Sequence, residues 1–319
     1  MKKIVYIKKV DRYEDILTKK HKRETKLFQK VIYIYKNIFN IITKKKIEEK
    51  NIWILPLQGK YSIKKIEKLL KKIAIYTENI YVFSNELDNI ELYKLINKYS
   101  INYLKGKQLN KYLIIKILEY INKLQNKQLT NLEISILIND VSELNLYLIE
   151  KLSKLVKSVK IVSSNIYKFK KLEEKLYNDF GIALQFSNSY KNSLQKTSFI
   201  INLDYNIIDI NEYEIFNKAI IINCTENNIN IKSKLFNGIV INSCDIKFKK
   251  EIRDKFRKIN IYDKYNNLLL YESNINEEKD FDAIFEKLDE DKVIITNLIG
   301  NNGIINKNEF KNIFKELDK

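Results

Sequence analysis

From residue 50 onward, short runs rich in Ile, Val and Phe alternate with stretches in which apolar residues recur every three or four positions. Short apolar runs predict strands and the longer period predicts amphipathic helices, so their alternation predicts an α/β fold with layered, mainly parallel sheets. In the first part of the chain, strands are expected at residues 52–57 and 80–83. Ser62 is placed to cap a helix carrying Ile63, Ile66, Leu69, Leu70 and Ile73 on one face, and Asp88 with Glu91 has capping-box spacing. A brief apolar run at 101–104 precedes a helix with Leu109, Leu113, Ile117, Tyr120 and Leu124 on one face. Residues 1–50 are less legible: 4–7 reads as a strand, and 31–42 fits helix and strand alike.

The second half is clearer. Residues 134–138 form an apolar run, Leu144, Leu148, Leu152 and Leu155 form a helical stripe, and 159–162 is apolar again, which is one βαβ unit. Ile166, Phe169, Leu172 and Leu176 predict the next helix, with Gly181 where a left-handed C-terminal cap belongs. Further strands are expected at 182–186, 199–203, 219–222 and 238–241. Runs apolar on both faces belong in a parallel sheet covered by helices on both faces. The polar tail at 125–131 sets the expected boundary. This gives a basic α/β domain at 1–128, a Rossmann-like domain at 129–250, and a C-terminal α/β segment at 251–319 packing on the second domain or back on the first.

Composition narrows the chemistry. The 319 residues include one histidine, His21, and two cysteines, Cys224 and Cys244. A multi-histidine metal site and a four-ligand Cys/His zinc site are therefore excluded, and no metal is expected. Any histidine-based triad would run through His21, inside the basic run Lys19-Lys20-His21-Lys22-Arg23. Two thiols fit a reducing compartment, and no apolar stretch reaches the length of a membrane span, so a cytoplasmic protein without a transmembrane segment is expected.

The formal net charge is +18, and it is uneven: residues 1–130 carry +18, residues 131–270 carry +5 and residues 271–319 carry −5. The basic half is either a solvated lysine surface or an unspecific polyanion-binding face for nucleic acid or anionic membrane. Only four arginines (Arg12, Arg23, Arg253, Arg257) are present to read base edges or grip phosphate in bidentate fashion.

The spacing of residues 134–162, together with Thr197-Ser198-Phe199-Ile200-Ile201-Asn202-Leu203-Asp204, resembles the NAD(P)-binding Rossmann domain of the shikimate dehydrogenase and glutamyl-tRNA reductase type over residues 131 to about 245. The resemblance implies a cofactor seat at Asn139, Asp140, Ser142, Ser163, Ser164, Asn165 and Asp204. The chain departs from that family at the first tight turn, Asn139-Asp140-Val141-Ser142-Glu143-Leu144, where Asn139, Val141 and Leu144 stand in the three glycine positions. Those glycines permit the turn and the approach of backbone N–H groups to pyrophosphate. Asp140 and Glu143 suit the helix macrodipole but repel a diphosphate. Where an NAD enzyme carries an acidic residue for the ribose, the chain has Ser163-Ser164-Asn165.

The expectation is therefore a Rossmann-like protein that has lost its dinucleotide, holds no cofactor, and binds a small metabolite or a protein. The alternative is an NAD(P)-dependent oxidoreductase with an atypical turn, with Lys168 beside the 2′-phosphate of NADP. The polar strand ends, including Asn223 and Asn242, read as turn and cap residues. Gly300-Asn301-Asn302-Gly303 reads as a hairpin or strand-to-helix turn.

Overall fold

The computed structural model describes residues 106–258, 267–275 and 280–317, and before them residues 3–10, 43–47, 50–58, 80–84 and 102–104 with helical positions 64, 67, 68, 71, 94 and 98. His21, Ser62, the Asp88/Glu91 pair and the ambiguous run 31–42 lie outside the described residues. Two compact units are formed, Met1–Lys105 with Lys250–Glu277, and Gly106–Lys249 with Glu278–Lys319. The helices at Lys107–Tyr112 and Ile114–Gln125 belong to the second unit, and residues 250–319 are divided between the two.

In the first unit, β1 (Lys3–Val10) pairs in parallel with β3 (Lys50–Gln58) and β4 (Ile80–Ser84), and β5 (Asn102–Tyr103) extends the sheet in parallel beyond β4. On the other side β2 (Thr43–Ile47) joins β3 antiparallel, so a strand of sequence Thr-Lys-Lys-Lys-Ile forms the edge. Lysine on an edge strand discourages pairing with a further chain.

The second unit is built on a six-stranded parallel sheet. β6 (Glu133–Leu137) lies beside β7 (Ser158–Val162), followed outward by β8 (Gln185–Ser187). On its other side come β9 (Phe199–Asn202), β10 (Ile220–Asn223) and β11 (Ile239–Ile241). Counted within the unit, the spatial order is 3-2-1-4-5-6 with every pair parallel, which is the doubly wound Rossmann order. Five of these strands coincide with expected apolar runs, because a parallel sheet buries both faces; the sixth, expected at 182–186, is instead Gln185–Ser187, an edge strand that is exposed to half-buried.

Helices α3 (Glu143–Ser153) and α4 (Lys170–Phe180) make the first two crossovers. α4 ends at Gly181, whose φ of 68° is left-handed, and the Ile182 N–H returns to the Leu176 carbonyl at 3.1 Å. The later crossovers are mostly coil, with the four-residue α5 (Ile207–Ile210) capped by the Asn206 side chain. Their apolar residues, among them Leu194, Tyr205, Ile210, Tyr213 and Ile229, cover the sheet face made by Leu137, Val162, Ile200, Ile221 and Val240.

Before the sheet, α1 (Lys107–Tyr112) and α2 (Ile114–Gln125) form a pair whose buried face includes Leu109, Leu113, Ile117 and Ile121. After it, β12 (Ser243–Lys247), β13 (Ile294–Gly300) and β14 (Gly303–Ile304) form an antiparallel sheet; β13 and β14 are the hairpin around Asn301-Asn302. Lys116 pairs with Asp289 at 2.6 Å, and the Tyr120 hydroxyl donates to the Thr296 carbonyl, so α2 is anchored on the C-terminal segment. No described helix is long and apolar enough to cross a membrane.

Candidate functional site

Open parallel sheets bind ligands at the carboxyl ends of their strands, beside the point where strand order reverses. Here that point lies between β6 and β9, and the first turn after β6 begins at Asn139. The backbone N–H of Asn139 donates to both carboxylate oxygens of Asp204, at 3.0 and 2.8 Å, and that of Asp140 donates to Asp204 Oδ2 at 2.5 Å. Asp204 follows the end of β9, so its side chain reaches across the reversal point to the turn. Burial raises its pKa above the ordinary aspartate value; the amides of Asp140 and Asn139 and the nearby Lys111 ammonium oppose that shift without cancelling it.

The side chain of Asn139 turns toward β7. Its Oδ1 accepts from the Ser164 N–H and hydroxyl at 2.9 and 2.8 Å, from the Ser163 hydroxyl at 3.1 Å and from the Tyr205 hydroxyl at 3.2 Å. Asn165 N–H donates to Ser163 Oγ. Of the positions implied by the resemblance, Asn139, Asp140, Ser163, Ser164 and Asp204 belong to one hydrogen-bonded group with Asn165 at its margin. Ser142 is exposed and caps α3 through its carbonyl, which accepts the Leu146 N–H, while its side chain makes no capping bond.

Sequence reasoning missed several members. Asn145, fully buried inside the leucine stripe of α3, donates to the Asp140 carbonyl and accepts from Lys111 Nζ at 2.9 Å. Lys107 Nζ donates to the Asn242 carbonyl at 2.7 Å. α1 is thus held across the carboxyl edge by two of its lysines, although the expected domains grouped it with residues 1–128. The visible signal for Asn145 was a polar residue between leucines at a helical period.

The remaining strand ends are joined by asparagines. Asn202 Nδ2 donates to Asn223 Oδ1 at 3.1 Å, Asn223 Nδ2 to Asn242 Oδ1 at 2.9 Å, and Asn242 Nδ2 to Asn301 Oδ1 at 2.7 Å. Asn202 and Asn223 are register partners, and Asn242 follows the Ile222 to Ile241 pair, so one amide stacks on the next across β9, β10 and β11. All three are buried. The repeated step Ile201-Asn202, Ile222-Asn223, Ile241-Asn242 was present in the sequence, where Asn202 read as part of a strand and Asn223 and Asn242 as turn and cap residues.

Chemically, the edge is satisfied from within. Its amides, hydroxyls and lysines are bonded to one another, and among the described residues no group of three His, Cys, Asp or Glu could hold a metal ion. Cys224 and Cys244 are buried behind it, and burial pushes the Cys224 thiol up to about 12 against the pull of Lys111 and Lys107.

No protein-family model matches the chain, and no curated protein matches it. Among solved structures it is similar to an NAD-dependent malic enzyme from Thermotoga maritima, at 13% identity and a TM-score of 0.30, with 75% of this chain and 65% of that one covered. A dipicolinate synthase chain from Bacillus halodurans gives 12% identity and a TM-score of 0.35 over 69% of this chain and 81% of that one. An aspartate transcarbamoylase from Trypanosoma cruzi gives 10% and 0.29 over 73% and 74%. The chain spans about two thirds of the malic enzyme's length. Likeness at this level extends to α/β architecture alone, and the Rossmann-type assignment of the second unit rests on its strand order.

Proposed function

We propose that this chain is a binding protein without oxidoreductase activity, built on a Rossmann-type unit whose dinucleotide seat is filled by its own side chains. The observation that carries this reading is the Asp204 carboxylate on the N–H groups of Asn139 and Asp140. Those are the donors a pyrophosphate would need. A diphosphate arriving there would meet the carboxylates of Asp204 and Asp140. A like charge at about 4 Å near a protein surface costs on the order of 4 kcal/mol, roughly a thousandfold in affinity. The neighbouring ribose position is taken up by Asn139 and its bonds to Ser163 and Ser164. Recognition of a small metabolite or a protein then falls to another part of the surface. Equilibrium dialysis of the full chain against NADH and NADPH tests the reading: no saturable binding at micromolar concentration is expected, and micromolar binding of either overturns it.

A further inference from the structure

The opposite edge of the same sheet is built differently. In a parallel sheet covered on both faces, inward positions are apolar. Here Ser135, Lys160 and Gln185 are register partners on β6, β7 and β8, and so form one polar row on one face. It is the face on which Leu137 and Val162, two residues further on, enter the apolar core. The crossover that would shield the row with a helix, residues 188–198 between β8 and β9, contains none. A cleft of about 360 Å³ lies over this row at the amino ends of the strands. That volume is at the small end for ligand sites.

Donors dominate its walls. Lys127, Lys160 and Lys196 line it, with Lys160 Nζ also donating to the Ser193 carbonyl at 3.4 Å, and the Gln125 side chain at the end of α2 lies at its margin. One carboxylate, Glu133, lines the cleft, and it is bonded to Lys157 at 2.7 Å. Ser135 and Thr197 close the floor through a hydroxyl pair at 2.9 Å.

We infer that this cleft is a binding site for a small polyanion, a molecule of metabolite size bearing two or more carboxylate or phosphate groups. The inference goes beyond the proposed function and does not depend on it, since the two edges of the sheet share no residue. Lys196 is the group to test: it is exposed and makes no hydrogen bond among the described residues, so its loss leaves the fold intact.

The experiment is calorimetric titration of the full chain with citrate, inorganic pyrophosphate and inorganic phosphate at 0.15 M salt, repeated on Lys196→Gln, Gln125→Leu and, at the other edge, Asp140→Asn. Saturable binding of citrate or pyrophosphate is expected, weakened about tenfold by Lys196→Gln and by Gln125→Leu and unchanged by Asp140→Asn. Which of the two binds more tightly separates a carboxylate from a phosphate ligand. No saturable binding of any probe overturns the inference, as does binding that Lys196→Gln leaves unchanged, which would place the anion on another lysine surface.

Discussion

The Asp204 carboxylate lies 2.8 Å from the backbone nitrogen of Asn139, 65 residues earlier in the chain, and closes the first turn of a Rossmann-type sheet from within. Under the proposed function this carboxylate takes the donors a diphosphate would use and leaves a negative charge in their place.

Removing that carboxylate leaves two N–H groups without their acceptor. Asp204→Ala is expected to lower stability by about 1 kcal/mol, the net worth of a hydrogen bond, since the Asn139 N–H is part-buried and the Asp140 N–H exposed to water. Asp204→Asn, which keeps one acceptor oxygen, is expected to lose less. Urea unfolding of the two variants beside the parent checks the order, and equal losses would mean that Asp204 holds the turn by packing alone.

The same group has a defined pH signature. Its folded pKa is raised above the ordinary aspartate value, chiefly by burial, so the native state holds this proton more tightly than the unfolded chain. The contribution of Asp204 to stability is therefore fully present below the unfolded value and is lost as pH rises through the folded value. Comparing unfolding of the parent with Asp204→Asn across acidic pH isolates it. A gap between parent and variant that widens in the parent's favour as pH rises through that window contradicts the assignment.

Asn223 is the middle rung of the asparagine ladder. It donates to Asn227 O and Asn242 Oδ1 and accepts from Asn202 Nδ2 and from Thr225 N–H and Oγ1. Asn223→Leu strands partners on both neighbouring strands, and a loss of about 2–4 kcal/mol is expected, summed over the buried groups left unpaired. A thermal melt shifted by less than a degree would show that the ladder contributes nothing.

How far the sequence foretold this arrangement depends on the range of the interaction. Five strands of the second unit, the Gly181 cap and the Gly300–Gly303 hairpin were legible, because apolar runs and turn residues act on their own neighbours; the edge strand β8 lies three residues beyond the start of the apolar run at 182–186, because an edge strand needs no apolar face on both sides. The partners of α2 were not. Its stripe of Leu113, Ile117 and Ile121 announces a buried face without saying what covers it, and the cover, β13 and α6 (Lys307–Leu317), comes some 180 residues later. The polar run after Gln125 is the end of that helix, where Asn126 adopts a left-handed φ of 55°. At the site, the loss of glycine from the turn was visible, and so was Asp204. That the Asp204 carboxylate bonds the amides of that turn could not be read from composition or period, since it joins the ends of β6 and β9, with α3, β7, α4 and β8 between them in the chain.

The thiols offer an independent check on the closed edge. Cys224 and Cys244 are buried, and both thiols are raised by burial, so almost no thiolate forms near neutral pH. A disulfide reagent at pH 8 is expected to label neither in the native protein and both in denaturant. Rapid labelling of the native chain would mean that the edge beneath α1 opens readily.

In the proposed arrangement Asp204, and no dinucleotide, occupies the amides of the first turn. The most direct measurement is the Asp140 amide resonance of a selectively ¹⁵N-aspartate-labelled full chain, followed during addition of NADPH. A downfield amide proton is expected that stays in place through millimolar NADPH and is lost from that position in Asp204→Asn. A saturable shift of that resonance at micromolar NADPH would contradict it.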